Sequence, residues 1–250
     1  MNHYIERVVD LLEPETNQIY NLTLDEARKL LFDYPQDAIR NIHGSFALLA
    51  KSGKNVRMVR SLDRPMRYFL AKRSAGPVLV VAARIDTIFN WLKSEGLEEQ
   101  FHPSYTRMVP AHHVVDIQLI GCPDPDPVYT RFFTPISATL PQDFDIIGRT
   151  YISALAEEIA QWLNVIPVEE PIGACFSGGI DSGSVFLTTY HVMRKLGMNP
   201  ARLKAFTLDL GNGPDLQQAR AFLEQLDLSL FLEPIEMDPA RRAQSETIRI

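Results

Sequence analysis

The chain has 250 residues, a formal net charge of −6 and 46% hydrophobic residues, a composition that excludes a wholly disordered protein and allows one large or two modest domains. The acidic balance argues against a binder of duplex nucleic acid, and no apolar run is long enough to predict a membrane partner. The two cysteines, Cys122 and Cys175, form no CxxC pair, so a reducing, cytoplasmic setting is expected.

Residues 1–39 are predicted to form a helix, a turn and a second helix. The second helix is expected to begin at Leu24, because Thr23 is a suitable N-cap and acidic residues follow it in the first turn. Its amphipathic pattern extends to Ile39 and is typical of a helix that packs on other elements.

Short strands are predicted from Gly44 onward. They are residues 46–51, 56–60, 68–71, 78–83 and 114–120, and the run VLVVAA at 78–83 is rich in valine. One short helix is expected at 87–93. Strands at intervals of about ten residues with a helix among them are typical of an α+β layer.

A linker is predicted at residues 121–145, between a first domain at 1–120 and a second at 146–250. Three alternating prolines, Pro123, Pro125 and Pro127, exclude a helix or a central strand at its start. The second domain is expected to open with an amphipathic helix at 147–163. The apolar positions on one face of that helix are Ile152, Leu155, Ala156, Ile159 and Leu163.

The remainder predicts a β-α-β-α-β unit. The strands are expected at 172–176, 203–208 and 228–232, and the helices at 184–196, with Gly197 as C-cap, and 215–227. This alternation predicts a parallel sheet with right-handed crossovers. Ligands bind beyond the carboxyl ends of such strands, where residues 177–182 and 208–213 would lie.

The segment that follows the first of these strands carries the strongest chemical signal. Its sequence at 176–182 is FSGGIDS, which contains the SGGxDS signature of the PP-loop ATP pyrophosphatases. The lysine of the GxxxxGK[ST] P-loop is missing, so a kinase or GTPase loop is excluded. Gly178 and Gly179 would allow a tight bend that turns backbone N–H groups toward an anion at a helix N-terminus.

The side chains of this segment suit a pyrophosphate bound with magnesium. Ser177 and Ser182 offer hydroxyl donors, and Asp181 offers a carboxylate for Mg²⁺ beside phosphate oxygens. The alternative interpretation is a glycine turn in which Ser182 or Asp181 only caps the helix.

Several segments resemble the asparagine synthetase family. The sequence FTLDLG at 206–211 is similar to the second strand of its synthetase domain, and GSFALL at 44–49, RSLDRPMRYF at 60–69 and VAARIDTI at 81–88 resemble its glutamine amidotransferase domain. The resemblance implies a mixed α/β and α+β chain. It would combine the remnant of an Ntn-hydrolase-like amidotransferase layer with a partial parallel-sheet PP-loop domain of the adenine nucleotide α-hydrolase type.

Two departures from the family pattern change the expected activity. The amidotransferase domain uses an N-terminal cysteine as nucleophile, whereas position 2 here is Asn2. We therefore expect no glutaminase activity, assign no catalytic residue, and expect Arg60 and Asp63 to keep only a structural pairing.

The second departure is the absence of the GGDE-type motif, and the chain stops at Ile250 inside a helix predicted from Pro239 onward. These features predict a fragment, and leave open a homo-oligomer or a missing C-terminal half.

The resemblance implies an AMP-forming carbon–nitrogen ligase that uses ATP and Mg²⁺. A substrate carboxylate would attack the α-phosphorus of ATP, and ammonia or a substrate amine would then displace AMP from the acyl-adenylate. The predicted ATP- and pyrophosphate-binding residues, with Asp181 also as metal ligand, are Phe176, Ser177, Gly178, Gly179, Asp181, Ser182 and Leu208. Phe176 and Leu208 would either bracket the adenine or pack in the core.

Alternative functions remain open at this point. The expected partners are a small-molecule or peptide carboxylate and an amine, and a lactam- or macrolactam-forming synthetase would use the same chemistry. RNA thiolation is disfavoured by the acidic charge and the missing cysteine pairs, and a nucleotide-binding module without turnover is the third alternative.

Cys175 is predicted to be a small core residue, and Asp215 is predicted only to complement a helix dipole.

Overall fold

A computed structural model describes residues 7–33, 35–74, 76–118, 126–209 and 213–236. The chain divides into two compact units, residues 1–137 and 138–250, which are treated separately. The described residues do not include Asn2, most of the proline segment at 121–127, or the helix predicted from Pro239. No helix in the described ranges is both long and apolar enough to cross a membrane.

The first unit contains two four-stranded sheets. Its strands are β1 (Arg7–Asp10), β2 (Gln18–Ile19), β3 (Gly44–Ser45), β4 (Ala47–Ser52), β5 (Asn55–Arg60), β6 (Arg67–Ala71), β7 (Val78–Ala82), β8 (Arg107–Met108), β9 (His113–Gln118) and β10 (Val128–Arg131). One sheet has the order β1-β7-β6-β8 and the other β10-β9-β5-β4, while β2 pairs with β3. The helices are α1 (Leu24–Asp33) and α2 (Ile85–Ser94).

Apolar clusters show how these elements stack. Met58 and Ile117 of one sheet and Tyr68 and Leu79 of the other share a cluster, so the two sheets pack face to face. Residues of α1 pack with Leu48 on the outer face of one sheet, and α2 packs on the outer face of the other. The order of layers is therefore helix, sheet, sheet, helix. Strand β7 is buried along its whole length because both of its faces are covered.

The predicted N-terminal helix is wrong. Residues Arg7–Asp10 form a strand that pairs in parallel with β7, and this distant pairing outweighs the local pattern. The second helix begins at Leu24 as predicted. It has a reciprocal cap, in which the Glu26 N–H donates to the Thr23 Oγ1 and the Thr23 N–H donates to the Glu26 carboxylate. It ends at Asp33 rather than Ile39, because Pro35 cannot continue a helix. A 3₁₀ helix, Gln36–Asn41, follows.

The predicted linker contains regular structure. Strand β10 lies within it and pairs antiparallel with β9. Helix α3 (Phe144–Val165) begins three residues before the predicted position, because Asp143 is its N-cap and accepts from the N–H groups of Asp145 and Ile146. The boundary between the two compact units nevertheless falls at Ser137, inside the range 121–145.

The second unit is a parallel sheet with helices. Besides α3, it contains β11 (Ile172–Cys175), α4 (Ile180–Lys195), β12 (Leu203–Asp209), α5 (Asp215–Glu224) and β13 (Leu232–Glu236). The strand order is β11-β12-β13, all parallel, as predicted. One cluster joins apolar residues of α3, α4 and α5 to one face of this sheet.

Two boundaries in the second unit differ from the prediction by four residues, and α5 ends at Glu224 rather than at 227. Helix α4 begins at Ile180 rather than at 184, so the loop before it is shorter than expected. The third strand was predicted at 228–232 but lies at Leu232–Glu236. The apolar run before it forms a turn and a 3₁₀ helix instead. Its Phe231 is buried against the rings of Phe186 and Tyr190, which explains why the run is apolar.

Candidate nucleotide-binding site

The loop between β11 and α4 contains a glycine that no other residue can replace without strain. Gly178 has φ +76°, in the left-handed region. A Cβ atom at this position would lie 2.6 Å from the backbone nitrogen of Ala219 and 2.7 Å from the carbonyl carbon of Gln218, both in α5. Gly178 is therefore needed both for the bend and for the close approach of α5 to the loop.

Two hydroxyl groups meet inside this loop. The Ser182 Oγ lies 3.2 Å from the Ser177 Oγ and accepts from the Ser177 N–H at 3.3 Å. The Ser182 hydroxyl also lies 3.2 Å from the Gly179 carbonyl, and the Gly179 N–H donates to the Ser177 Oγ at 3.4 Å. Hydrogen bonds of this length are weak, so phosphate oxygens could replace them at little cost.

The N-terminus of α4 lies at the same place. Its N-cap is Gly179, which provides no side-chain cap, so neither Ser182 nor Asp181 is the N-cap. The free N–H groups of the first turn and the helix dipole favour an anion here. Asp181 is exposed in that first turn. Within the described ranges, no group of three or more acidic, histidine or cysteine side chains could hold a metal ion.

A metal at Asp181 would therefore depend on oxygen atoms from a ligand. Mg²⁺ is commonly bound by one or two carboxylates together with substrate phosphates and water. The exposed carboxylate beside an anion-binding helix N-terminus fits that pattern. The residues present are thus compatible with Mg²⁺ that arrives with a nucleotide.

Phe176 and Leu208 occupy different environments. Phe176 is 3% exposed, and its ring packs between those of Phe186 and Phe222 at centroid distances of 5.5 Å. Its N–H donates to the Phe206 carbonyl, and its own carbonyl accepts from the Thr207 hydroxyl. The arrangement favours the core interpretation for Phe176. Leu208 is 45% exposed and remains accessible to an adenine ring.

A comparison with protein families bears on this segment. Residues 168–245 match the family model described as asparagine synthase. Over that segment the chain is similar to this family. The matched segment includes the loop, α4, β12, α5 and β13. No curated protein sequence matches the chain.

One prediction for the matched segment is wrong, because Cys175 is exposed rather than buried. Side chains alternate along β11, so Gly173 and Cys175 lie on the sheet face opposite the helices. The Phe206 ring lies on the same face, where a Cβ atom on Gly173 would be 2.9 Å from its Cε2 atom. Phe206, Leu208 and Ile235 are exposed as well, so the described residues leave one face of the sheet open.

The exposure of Cys175 predicts ready alkylation. In a Cys122→Ser variant, we expect N-ethylmaleimide to modify the native protein at a rate within about tenfold of that of a free peptide thiol, because access does not require unfolding. Intact-protein mass spectrometry would follow the reaction. A thiol that reacts only in denaturant would contradict the exposed position of Cys175. The control is Cys175→Ser in the same background, which has no thiol to modify.

In the first unit, Arg60 has a structural role different from the one expected. Its guanidinium donates to the carbonyl oxygens of Val109 at 2.6 Å and of Ser61 and Leu62 at 3.1 and 3.0 Å. Burial lowers the pKa of Arg60, and Arg67 lowers it further.

The predicted Arg60–Asp63 pairing is not a hydrogen-bonded pair. Asp63 instead accepts from the hydroxyls of Ser45 and Ser61. Burial tends to raise the pKa of Asp63, but these two hydrogen bonds leave it below its usual value. Arg60 and Asp63 therefore hold neighbouring parts of one loop through separate contacts.

The carbonyl contacts of Arg60 predict a stability effect. We expect Arg60→Met to lower the free energy of unfolding by about 3 kcal/mol, because it leaves several half-buried carbonyls without a donor. Urea-induced unfolding of the full chain would measure this. Arg84→Met is the control, since among the described residues Arg84 pairs with the exposed Asp86 and its loss should change little. Equal stability of the two variants would contradict the structural role of Arg60.

Proposed function

We propose that this chain is an ATP-dependent, amide-forming ligase of asparagine synthetase type. The observation that carries the proposal is the loop at 177–182, which lies at the N-terminus of α4 inside the segment that matches the asparagine synthase family model. The weak internal hydrogen bonds of the two serines and the bend at Gly178 support a role in binding pyrophosphate. The reaction would produce an acyl-adenylate, pyrophosphate and finally AMP.

Each loop residue has a specific task in this proposal. Backbone N–H groups and the hydroxyls of Ser177 and Ser182 would stabilise the charge that develops on the leaving pyrophosphate. Asp181 would hold Mg²⁺, which supplies additional positive charge at the phosphates. The exposed side chain of Leu208 would contact the adenine. Carboxylate attack at the α-phosphorus requires no side-chain nucleophile.

The nitrogen donor in this proposal is ammonia or a substrate amine. Asn2 offers no thiol for glutamine hydrolysis, so the first unit would serve as an amidotransferase-like scaffold without glutaminase activity. The domain ranges 1–120, 121–145 and 146–250, the Ntn-hydrolase-like and PP-loop assignments, and the cytoplasmic setting are part of the same proposal. A substrate amine on the same molecule would give a lactam or macrolactam.

A product assay tests the proposal. The full chain is mixed with Mg²⁺, ATP and candidate amino acids, and the nucleotide and pyrophosphate products are quantified. Equal amounts of AMP and pyrophosphate that depend on the carboxylate would support the ligase. Release of ADP, or hydrolysis that ignores the carboxylate, would count against it.

A further inference from the structure

A groove lies between α3 and α4, and Phe222 of α5 also lines it. Its volume is about 840 Å³, and most of its lining is apolar, including Ile152, Ala156 and Leu187. It lies within the second unit. Nothing in the proposed ATP site uses it.

The groove begins at the pyrophosphate loop. Ile180, the residue after Gly179, lines one end and is 83% exposed, and Lys195 lines the other end. The fifteen-residue separation along α4 corresponds to roughly 22 Å. A chain in extended conformation advances about 3.3 Å per residue, so six or seven residues would span the groove.

The polar groups in the groove favour a peptide over a hydrocarbon chain. Thr188 lines it, is 5% exposed, and makes no side-chain hydrogen bond to another described residue. A hydrocarbon chain would desolvate this hydroxyl without a partner, whereas an amide group would pair with it. Glu157, His191 and Lys195 also line the groove. They add charged and hydrogen-bonding positions that suit a peptide backbone and its side chains.

Charge also sets a direction along the groove. The N-terminus of α4, which the proposed function assigns to the pyrophosphate, lies at the loop end and also lowers the cost of bringing a carboxylate close to ATP. Lys195 at the far end disfavours a free amino terminus beside it. A peptide would therefore bind with its carboxylate next to the loop, where ATP activation would take place.

We propose that the groove between α3 and α4 binds an apolar peptide segment of the carboxylate substrate, with its carboxyl group at the loop. This inference rests on the proposed function and names its substrate class. The peptide supplies amide groups for Thr188 and apolar side chains for Leu187 and its neighbours.

The probe is a peptide of alternating leucine and alanine, six residues long, with a dansyl group on its amino end and a free carboxylate. Fluorescence anisotropy should show saturable binding to the full chain. We expect Ser153→Trp, which places an indole from an exposed position into the groove, to weaken binding by at least about tenfold. The control is Ala154→Trp on the same helix, which is exposed but does not line the groove and should change the affinity by less than about twofold.

Two further measurements separate a peptide site from a general apolar surface. Thr188→Val keeps the side-chain shape, removes the hydroxyl, and should weaken the peptide roughly three- to tenfold, the value of one hydrogen bond. Dansyl-undecanoate should bind more weakly than the peptide. Equal effects of the two tryptophan variants, tighter binding of the undecanoate, or no saturable binding of the peptide would overturn the inference.

Calorimetric titration with MgATP on the same samples separates this inference from the proposed function. Normal MgATP binding without groove-dependent peptide binding would reject the peptide site alone. Peptide binding without any MgATP binding would reject the ligase and the activating role of the loop. Normal MgATP binding in Ser153→Trp together with loss of peptide binding supports both.

Discussion

Gly178→Ala is expected to abolish measurable MgATP binding by the full chain. The left-handed φ of +76° costs a residue with a Cβ atom about 1–2 kcal/mol. The larger effect comes from α5, because the new methyl group would lie within 3 Å of backbone atoms of Gln218 and Ala219. Backbone cannot move aside as a flexible side chain can. The loop or α5 must therefore shift, and the N–H groups lose their common direction.

Calorimetry with MgATP and urea-induced unfolding would be run side by side on this variant. The matched control is Gly148→Ala in α3, where a Cβ atom would meet nothing within 4 Å. It should raise stability by about 0.5–1 kcal/mol, because alanine is the better helix former, and leave MgATP binding unchanged. A Gly178→Ala protein that binds MgATP normally would show that the approach of α5 does not shape the site.

The glycine bend could be predicted from the sequence because its determinants are local, although α4 begins four residues earlier than predicted. A glycine pair, two serines and an aspartate between a strand and a helix define the bend and the donors without knowledge of the rest of the chain. The second reason for Gly178, its contact with α5, is different. It joins residues about forty positions apart, and no spacing rule indicates that the α5 backbone passes so close.

The errors share the same origin in non-local contacts. The apolar run before β13 looked like a strand, yet Leu228 and Phe231 are buried against the α4 side of the core and the strand begins only at Leu232. Strand β1 exists because β7 pairs with it, and a short valine-containing segment cannot reveal that partner. Tertiary pairing decides both cases.

The surroundings of β11 show the same limit at the site itself. Cys175 was predicted to lie in the core, but helices cover only one face of the sheet in the described residues. Phe176 therefore lies in the core while Cys175, its neighbour, is exposed. The alternation of side chains along the strand places Cys175 and Phe176 on opposite faces of the sheet. The position of α4 and α5 then decides which of these two faces is covered. Only the alternation is visible in the sequence.

Asp181→Ala is expected to remove the part of ATP binding that depends on Mg²⁺. Asp181 is exposed in the first turn of α4, and the described residues provide no cluster of metal ligands that could replace it. Calorimetry with ATP should show at least about a hundredfold weaker binding in Mg²⁺, and little difference between wild type and variant in excess chelator. The folded state should be almost unaffected, because the side chain is exposed.

Asp215→Ala distinguishes a metal ligand from a general effect of negative charge. Asp215 occupies the first turn of α5, as Asp181 does in α4, so each substitution removes one carboxylate from a helix N-terminus and costs a similar dipole interaction. If Asp181 acts through Mg²⁺, only its loss should abolish the metal dependence. Equal weakening by both substitutions would mean that the helix field alone governs the nucleotide. Full retention of Mg²⁺-dependent binding in Asp181→Ala would place the metal elsewhere, and the loop would then bind phosphate through its N–H groups and hydroxyls only.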